Sequence, residues 1–482
     1  MSEEILINVT PQETRVAVVE NGVLQEVHVE RARSRGIVGN IYKGRVARIL
    51  PGMQAAFVDI GQERAAFLHA TDLPHNGGAN GTPINARLRE GEEVVVQVMK
   101  DPLGTKGARL TTQLSLPARY LVYMPYSRHI GISQKIGDDA ERERLRNLVK
   151  AAMPEGDAGG YILRTLAETV DEAEIQQDIR YLRKLWAACQ ERIHSAKAQE
   201  LIHEELPLAL RAMRDLVRAE VEKIRIDSRE FFTKAREFAQ EFIPEVHERI
   251  EHYPGERPIF DLYSVEDEIQ KALARRVPLK SGGHLIIDQT EALTTIDVNT
   301  GTYVGKHNLE ETLYKTNLEA AQSIARQLRL RNLGGMILID FIDMTDAEHK
   351  RQVLRALERA LARDRSKVHL TEMSPLGLVE MTRKRTRESI EHVLCQPCPV
   401  CQGRGVVKTP QTVCYEIFRE ILREARQFGA NEYMVVAAQA VVDLLLDEEA
   451  TSLMNLQEFI RRPIQLKVEP LYHQEQYDVV LL

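Results

Sequence analysis

Between Thr294 and Asp343 the chain reads as strand, helix, strand, and this unit constrains the fold more than any other stretch. The first apolar run is Thr294-Thr295-Ile296-Asp297-Val298-Asn299-Thr300-Gly301, and the second is Gly334-Gly335-Met336-Ile337-Leu338-Ile339-Asp340-Phe341-Ile342-Asp343. Between them Leu313, Ala320, Ala321, Ile324, Ala325 and Leu328 recur at helical spacing. Asn308-Leu309-Glu310-Glu311 reads as an N-cap with its capping-box glutamate, and Asn332-Leu333-Gly334-Gly335 as a C-terminal stop. A crossover helix of this length suits two parallel neighbouring strands. Parallel pairing brings Asp297 and Asp340 to one carboxyl edge, where open α/β sheets place their ligands.

Strand alternation sets Thr295, Asp297 and Asn299 on one face. Two carboxylates meeting there repel unless a cation lies between them. Hard oxygen donors with an amide alongside suit Mg²⁺ or Mn²⁺. Asp343 is a further ligand, an outer partner or a structural residue, and a pair of capping turns at the strand ends fits the same spacing.

A chain of 482 residues exceeds one hydrophobic core and implies three or four domains. No apolar run is long enough to span a membrane, and the alternating, acidic start from Met1 to Thr10 reads as an opening strand, which points to the cytoplasm. The net charge of −7 excludes a globally basic nucleic-acid binder, so any such surface must be local. Five cysteines do not make a disulfide framework. Three of them crowd into Cys395-Gln396-Pro397-Cys398-Pro399-Val400-Cys401-Gln402-Gly403-Arg404-Gly405, half of a zinc ribbon. The missing ligands would come from a second copy of the chain. A redox role is the weaker reading, because no thioredoxin-like pattern surrounds the motif.

Short strands with glycine turns run from Ile41-Leu50 through Met53-Ile60, Ala65-His69 and Gly91-Met99, fitting a small OB-type barrel. Phe57 shares a face with Asp59, and Phe67 with His69, so both rings face outward where bases stack. Lys106 sits in the loop Leu103-Gly104-Thr105-Lys106-Gly107-Ala108-Arg109, suited to a phosphate. Asp139 to Met153 reads as a helix and Tyr161 to Thr165 as a strand ending in an anion ligand or an ordinary turn. Glu200 to Arg249 reads as strongly helical, interrupted at Pro244. Two basic runs, Arg326 to Arg331 and Thr382 to Arg387, bracket the proposed metal site, where a phosphodiester would need neutralising. Beyond Cys414 a compact α/β tail follows.

Taken together, INVTPQETRVAVVENG, GNIYKGRV, PGMQAAFVDIG, KDPLGTKGARLTT, EALTTIDVNTG, RQLRLRNLGGMILIDFIDM, LGLVEMTRKRTRESI and CPVCQGRG resemble the bacterial RNase E/G family of endoribonucleases nearly end to end. The resemblance implies an α+β multidomain chain. It has an RNase H-like subdomain in two parts (1–34 and 209–272), an OB-fold RNA-binding domain (35–114) and a 5′-sensor domain (115–208). A DNase I-like catalytic domain (273–394), a zinc link (395–408) and a small C-terminal α/β domain (409–482) follow. It further implies catalytic Mg²⁺ ligands at Asp297 and Asp340 with Asn299 as companion amide. RNA contacts fall at Phe57, Phe67 and Lys106, a 5′-monophosphate grip at Arg164 and Thr165, and a Zn²⁺ shared between subunits at Cys398 and Cys401. Family members often carry Gly where Ala118 stands, and Cys395 adds a competing thiol.

The implied activity is Mg²⁺-dependent cleavage of single-stranded RNA to 3′-hydroxyl and 5′-phosphate ends, favouring 5′-monophosphorylated substrates. The implied roles are maturation of the 5′ end of small-subunit ribosomal RNA, tRNA processing and mRNA turnover, by a homodimer that can assemble further. The absence of a long scaffold tail favours the G-type branch over a tail-less E-type enzyme. Competing readings are a non-catalytic OB-fold RNA-binding protein and a metal-dependent enzyme acting on small phosphates.

Overall fold

The structure, a computed structural model, describes residues 2–73, 83–102, 106–154, 156–168, 170–301, 309–374, 376–385 and 387–482. The chain forms two compact units, Met1–Val393 and Leu394–Leu482.

The first sheet of the larger unit joins residues far apart in sequence. Its strand order is Ile250–His252, Val221–Ile226, Glu3–Val9, Glu13–Glu20 and Val23–Arg31. The first three strands are parallel and the rest antiparallel. This corrects the helical reading of Glu200 to Arg249. Leu208–Leu216 and Arg229–Phe242 are helices, but Glu200–His203 and Val221–Ile226 are strands. The reason is tertiary. Val221, Ile224 and Ile226 are fully buried, and Ile224 and Ile226 lie in register with Ile5 and Ile7. That burial outweighs the helix preference of the Glu, Lys and Arg between them. Pro244 interrupts as expected, by opening a separate short helix, Pro244–His247.

Inserted between the halves of this sheet are two further modules. Strands Ile41–Leu50, Ala55–Asp59, Ala66–His69, Arg109–Thr111 and Glu93–Lys100 close into a five-stranded barrel, because the last also pairs with the first. Val46, Ala56, Val58, Leu68, Val96 and Leu110 fill its interior. Gly44 is needed at the crossing, where a Cβ would collide with Val58. Glu200–His203 adds to the outside of the Ile41–Leu50 strand. The second module is a four-stranded sheet (Ile130–Ile132, Gly160–Leu163, Leu121–Met124, Leu116–Pro117) with helices Asp139–Ala152 and Glu172–Ser195. Asp171 and Glu174 form a reciprocal capping box at the start of the second helix.

A six-stranded mixed sheet follows, in the order Arg276–Pro278, His284–Gln289, Leu293–Asn299, Gly335–Asp340, Leu378–Arg383 and Val368–Leu370. Helices Leu309–Leu330 and Ala347–Leu361 cover one face. Ala320, Ala321 and Ala325 of the first share one buried core with Leu285, Ile296 and Ile339. The smaller unit has a three-stranded sheet centred on Tyr433–Ala437, with helices Pro410–Gln427, Gln439–Leu446 and Ala450–Ile460. Among the described residues no helix is long and apolar enough to cross a membrane.

Candidate active site

Leu293–Asn299 and Gly335–Asp340 run parallel, and their register pairs Asp297 directly with Asp340. Alternation does the sorting. Ile296, Val298, Ile337 and Ile339 turn into the core, while Asp297 and Asp340 stand exposed on the face without helices. Asn299 lies on the same face, and its Nδ2 donates to Asp297 Oδ2 at 2.9 Å. The Asp340 carboxyl is pushed above its usual range, first by partial burial and then by the nearby charges of Asp297 and Asp343.

The segment after Asp340 is held by two side chains of the crossover helix. Asn317, fully buried, donates Nδ2 to Ile342 O at 2.8 Å and accepts the Ile342 N–H on Oδ1 at 3.1 Å. Glu310 accepts the Thr345 hydroxyl at 2.9 Å and the N–H groups of Thr345 and Asp346. Glu310 therefore braces the entry to the next helix, Ala347–Leu361. Glu311, the expected capping-box residue, pairs with Lys315 at 2.7 Å, and Asn308 lies outside the described residues. Sequence reading missed Asn317, although its signal was there: a polar residue inside the apolar stripe from Leu313 to Leu328. On the open side Gly377, with φ +81°, lets the turn pass Asp343, where a Cβ would stand 3.1 Å from Oδ1.

Among the described residues no group of three or more His, Cys, Asp or Glu side chains converges to hold a metal ion. The Asp297–Asp340 pair with Asn299 is an all-oxygen, two-carboxylate donor set. That fits Mg²⁺, which keeps several waters and takes one or two carboxylates, better than an ion needing a full protein cage.

The first basic run does not reach this face, which corrects its expected role. Arg326 binds Leu24 O and Glu268, Arg329 binds Glu20 and Gln25, and Arg331 is buried on Gln327 and Ala274 O. Their helix covers the opposite side of the sheet, so its charges meet the N-terminal sheet instead. In the second run Arg383 is buried against Asp364 at 2.7 Å, Arg385 binds Gly334 O and Arg387 binds His28, whereas Thr382 shares the aspartates' sheet face and Lys384 is exposed; Thr386 lies outside the described residues.

On the barrel, Phe57 and Phe67 are cross-strand partners with ring centroids 6.1 Å apart in an edge-on arrangement, outside the apolar interior. Lys106 is exposed, next to a Gly107 pressed against Ala65, and the remainder of its loop (Leu103, Gly104, Thr105) lies outside the described residues. Arg164 and Thr165 follow the Gly160–Leu163 strand. Arg164 Nη1 donates to Asp215 Oδ1 at 2.7 Å and Ala118 O at 2.6 Å, and Thr165 shares a 3.0 Å hydroxyl contact with Ser133. Asp215, unnoticed in the sequence, is held down at about 2: burial opposes this, but Arg214 and Arg164 outweigh it.

The cysteines lie in turns ahead of Pro410–Gln427, and Cys395 and Cys398 are exposed. Backbone N–H groups of Gly405 and Gly403, and then Cys398, draw the Cys401 thiol below its ordinary range. Adjacent thiols with N–H donors aimed at sulfur suit a thiolate-binding metal such as Zn²⁺.

The Ribonuclease E/G family model matches residues 115–386, and a model of the RNase E/G thioredoxin-like domain matches 397–481. The second match corrects the expectation that nothing thioredoxin-like surrounds the cysteines. Ribonuclease G of Escherichia coli strain K12 is 54% identical, covering 100% of both chains. Ribonuclease G of Haemophilus influenzae is 52% identical over 99% of each. Ribonuclease E of E. coli strain K12 is 39% identical over 93% of this chain and 43% of its own length.

Proposed function

The chain belongs to the ribonuclease E/G family, and from that premise we propose that it is a Mg²⁺-dependent endoribonuclease of the G type, cleaving single-stranded RNA to 3′-hydroxyl and 5′-phosphate ends. The observation that carries the reading is the in-register pairing of Asp297 with Asp340 on an uncovered sheet face. Asp297 and Asp340 would hold the ion. Asn299 fixes the Asp297 carboxylate through its 2.9 Å hydrogen bond, so that it would be held in place for the ion. When bound, Mg²⁺ offsets phosphate charge and lowers the pKa of a coordinated water. Asn317 and Glu310 keep the chain beyond Asp340 from relaxing away from the site.

Phe57 and Phe67 present ring edges and faces to unstacked bases, and Lys106 adds a phosphate contact. Arg164 and Thr165 grip a 5′-monophosphate, the Arg164 guanidinium being pre-aimed by Asp215 and Ala118 O. The barrel serves as the OB-fold domain, and the catalytic sheet and split sheet serve as the DNase I-like and RNase H-like parts. Cys398 and Cys401 share Zn²⁺ with a second subunit. The cellular role is maturation of the small-subunit ribosomal RNA 5′ end, tRNA processing and mRNA turnover in the cytoplasm.

The test is cleavage of a labelled single-stranded RNA with Mg²⁺ and then with EDTA, in parallel with Asp297→Asn and Asp340→Asn. Each variant should lose at least about a hundredfold in rate, since it removes a ligand charge, and should still bind RNA. Near wild-type cleavage by either variant would overturn the assignment.

A further inference from the structure

Two arginines of the first basic run, Arg326 and Arg329, do share a surface, on the far side of the helix layer from Asp297 and Asp340. A groove of about 900 Å³ opens there between helices Leu309–Leu330 and Ala347–Leu361 and the N-terminal sheet. One wall carries Arg326 and Arg329, and the other Arg355, Arg359 and Arg363. Leu318, Ala325, Ala356 and Ala360 make a shallow apolar floor. We propose that this groove is a second RNA-binding site, which takes the phosphodiester backbone of a substrate segment remote from the cleaved bond. The proposal rests on the RNA-cleaving reading above and adds a partner surface to it.

Three observations support it. The first is charge: five arginines line the groove against Glu20 and Glu348, in a chain whose net charge is −7. Positive charge is therefore concentrated here against the overall balance, the local footprint of a polyanion site. Second, the two walls differ in a useful way. Arg326 and Arg329 are already fixed by Glu268, Glu20 and Gln25. Arg355 and Arg359, by contrast, have no ion-pair partner among the described residues, and both are exposed. Spaced four residues apart, they share one helix face, as successive backbone contacts require. Third, Arg329 is only 10% exposed in its side chain, and its Nε is buried without a hydrogen-bond partner. A buried guanidinium N–H left unmatched beside a groove is costly unless an acceptor arrives.

A backbone fits better than a base-specific ligand, because the nearest aromatic, Tyr314, is already stacked on His349 with centroids 4.2 Å apart. The groove and the aspartates lie on opposite sides of the sheet and its helices. Only an RNA long or folded enough to pass round that layer can occupy both.

The experiment uses the full chain with Arg355→Gln and Arg359→Gln combined, exposed changes on a helix and outside the cleavage site. Binding is measured in EDTA over a salt series, with a short single strand of about ten nucleotides and with a folded RNA of about eighty carrying the same 5′ end. Losing two phosphate contacts should weaken the long RNA roughly tenfold and lower its log-log salt slope by about 1.5, with the short strand unaffected. Cleavage of the short strand in Mg²⁺ should keep its wild-type rate. Unchanged affinity and slope for the long RNA would overturn the groove. So would equal losses on both RNAs, or a change only in oligomeric state, which would mark a protein interface. Because binding is read without metal, a wild-type chain that cuts nothing in Mg²⁺ would refute the nuclease reading separately.

Discussion

Replacing Asn317 by Leu should loosen the candidate site from behind. The side chain is fully buried in the helix that backs the sheet, and it matches both backbone groups of Ile342, two residues beyond Asp340. Leucine keeps the same branched skeleton, though it is bulkier, and offers no polar atom. Two net hydrogen bonds are lost at about 1 kcal/mol each, and a half-buried N–H and C=O are stranded at about 1 kcal/mol or more apiece. The expected cost is therefore about 3–5 kcal/mol if the segment stays in place, and less if it swings out to water. The two outcomes separate experimentally. Urea unfolding reads the global cost, and hydrogen exchange at the Ile342 amide reads local release. Release of this segment should lower the RNA cleavage rate at saturating Mg²⁺ more than it weakens RNA binding. Asn317→Asp keeps an acceptor for the Ile342 N–H and should fall between the two. An Asn317→Leu chain with wild-type stability, protected Ile342 and full cleavage would refute the bracing argument.

Arg164→Ala should slow cleavage of 5′-monophosphorylated RNA about tenfold or more, the worth of a charge-assisted contact, and leave 5′-hydroxyl RNA little changed in matched assays. Equal loss on both would make Arg164 a structural partner of Asp215. Cys398→Ser or Cys401→Ser should abolish zinc binding and the dimer, and the wild type should carry about half a zinc per chain, since two thiolates per chain complete a tetrahedral site only in pairs. One zinc per chain by elemental analysis would redirect attention to Cys395. The His28 imidazole, pushed down to about 4 by burial and then by Arg387, must gain its proton when the chain unfolds. Its contribution is therefore present above about pH 6.5 and lost as pH falls toward 4, roughly 3 kcal/mol in full. His28→Gln should flatten that acid limb in thermal or urea melts, and an unchanged limb would rule His28 out as its cause.

What was readable from residues alone follows from the range of the forces involved. The pairing of Asp297 with Asp340 was legible because alternation and a crossover helix are local patterns. The outward rings of Phe57 and Phe67 were legible for the same reason. Val221–Ile226 was not, because its partner strand lies more than two hundred residues upstream and its own Glu, Lys and Arg spell helix. The first basic run misled because a charge run does not say which side of a helix meets another domain. Arg326 and Arg329 were claimed by Glu268, Glu20 and Gln25, acceptors remote in sequence. Asp215 and Ser133 were silent for the same reason: their partners, Arg164 and Thr165, are distant along the chain.

The split sheet also sets a timetable for synthesis. Glu3–Val9 can pair with Glu13–Glu20 as soon as both are made, yet its other edge waits for Val221–Ile226, about 210 residues later. At elongation rates of about 5–20 residues per second, that edge stays open for roughly 10–40 s. Ile5, Leu6 and Ile7, all fully buried in the finished protein, sit on it. An uncapped strand of that composition is a template for pairing with the wrong chain. The nascent protein therefore passes through a long sticky interval, while the inserted barrel and four-stranded sheet are made and can fold. Slow translation between residues 35 and 220 should raise misassembly on polysomes, a burden that falls on chaperones and leaves no trace in the mature molecule.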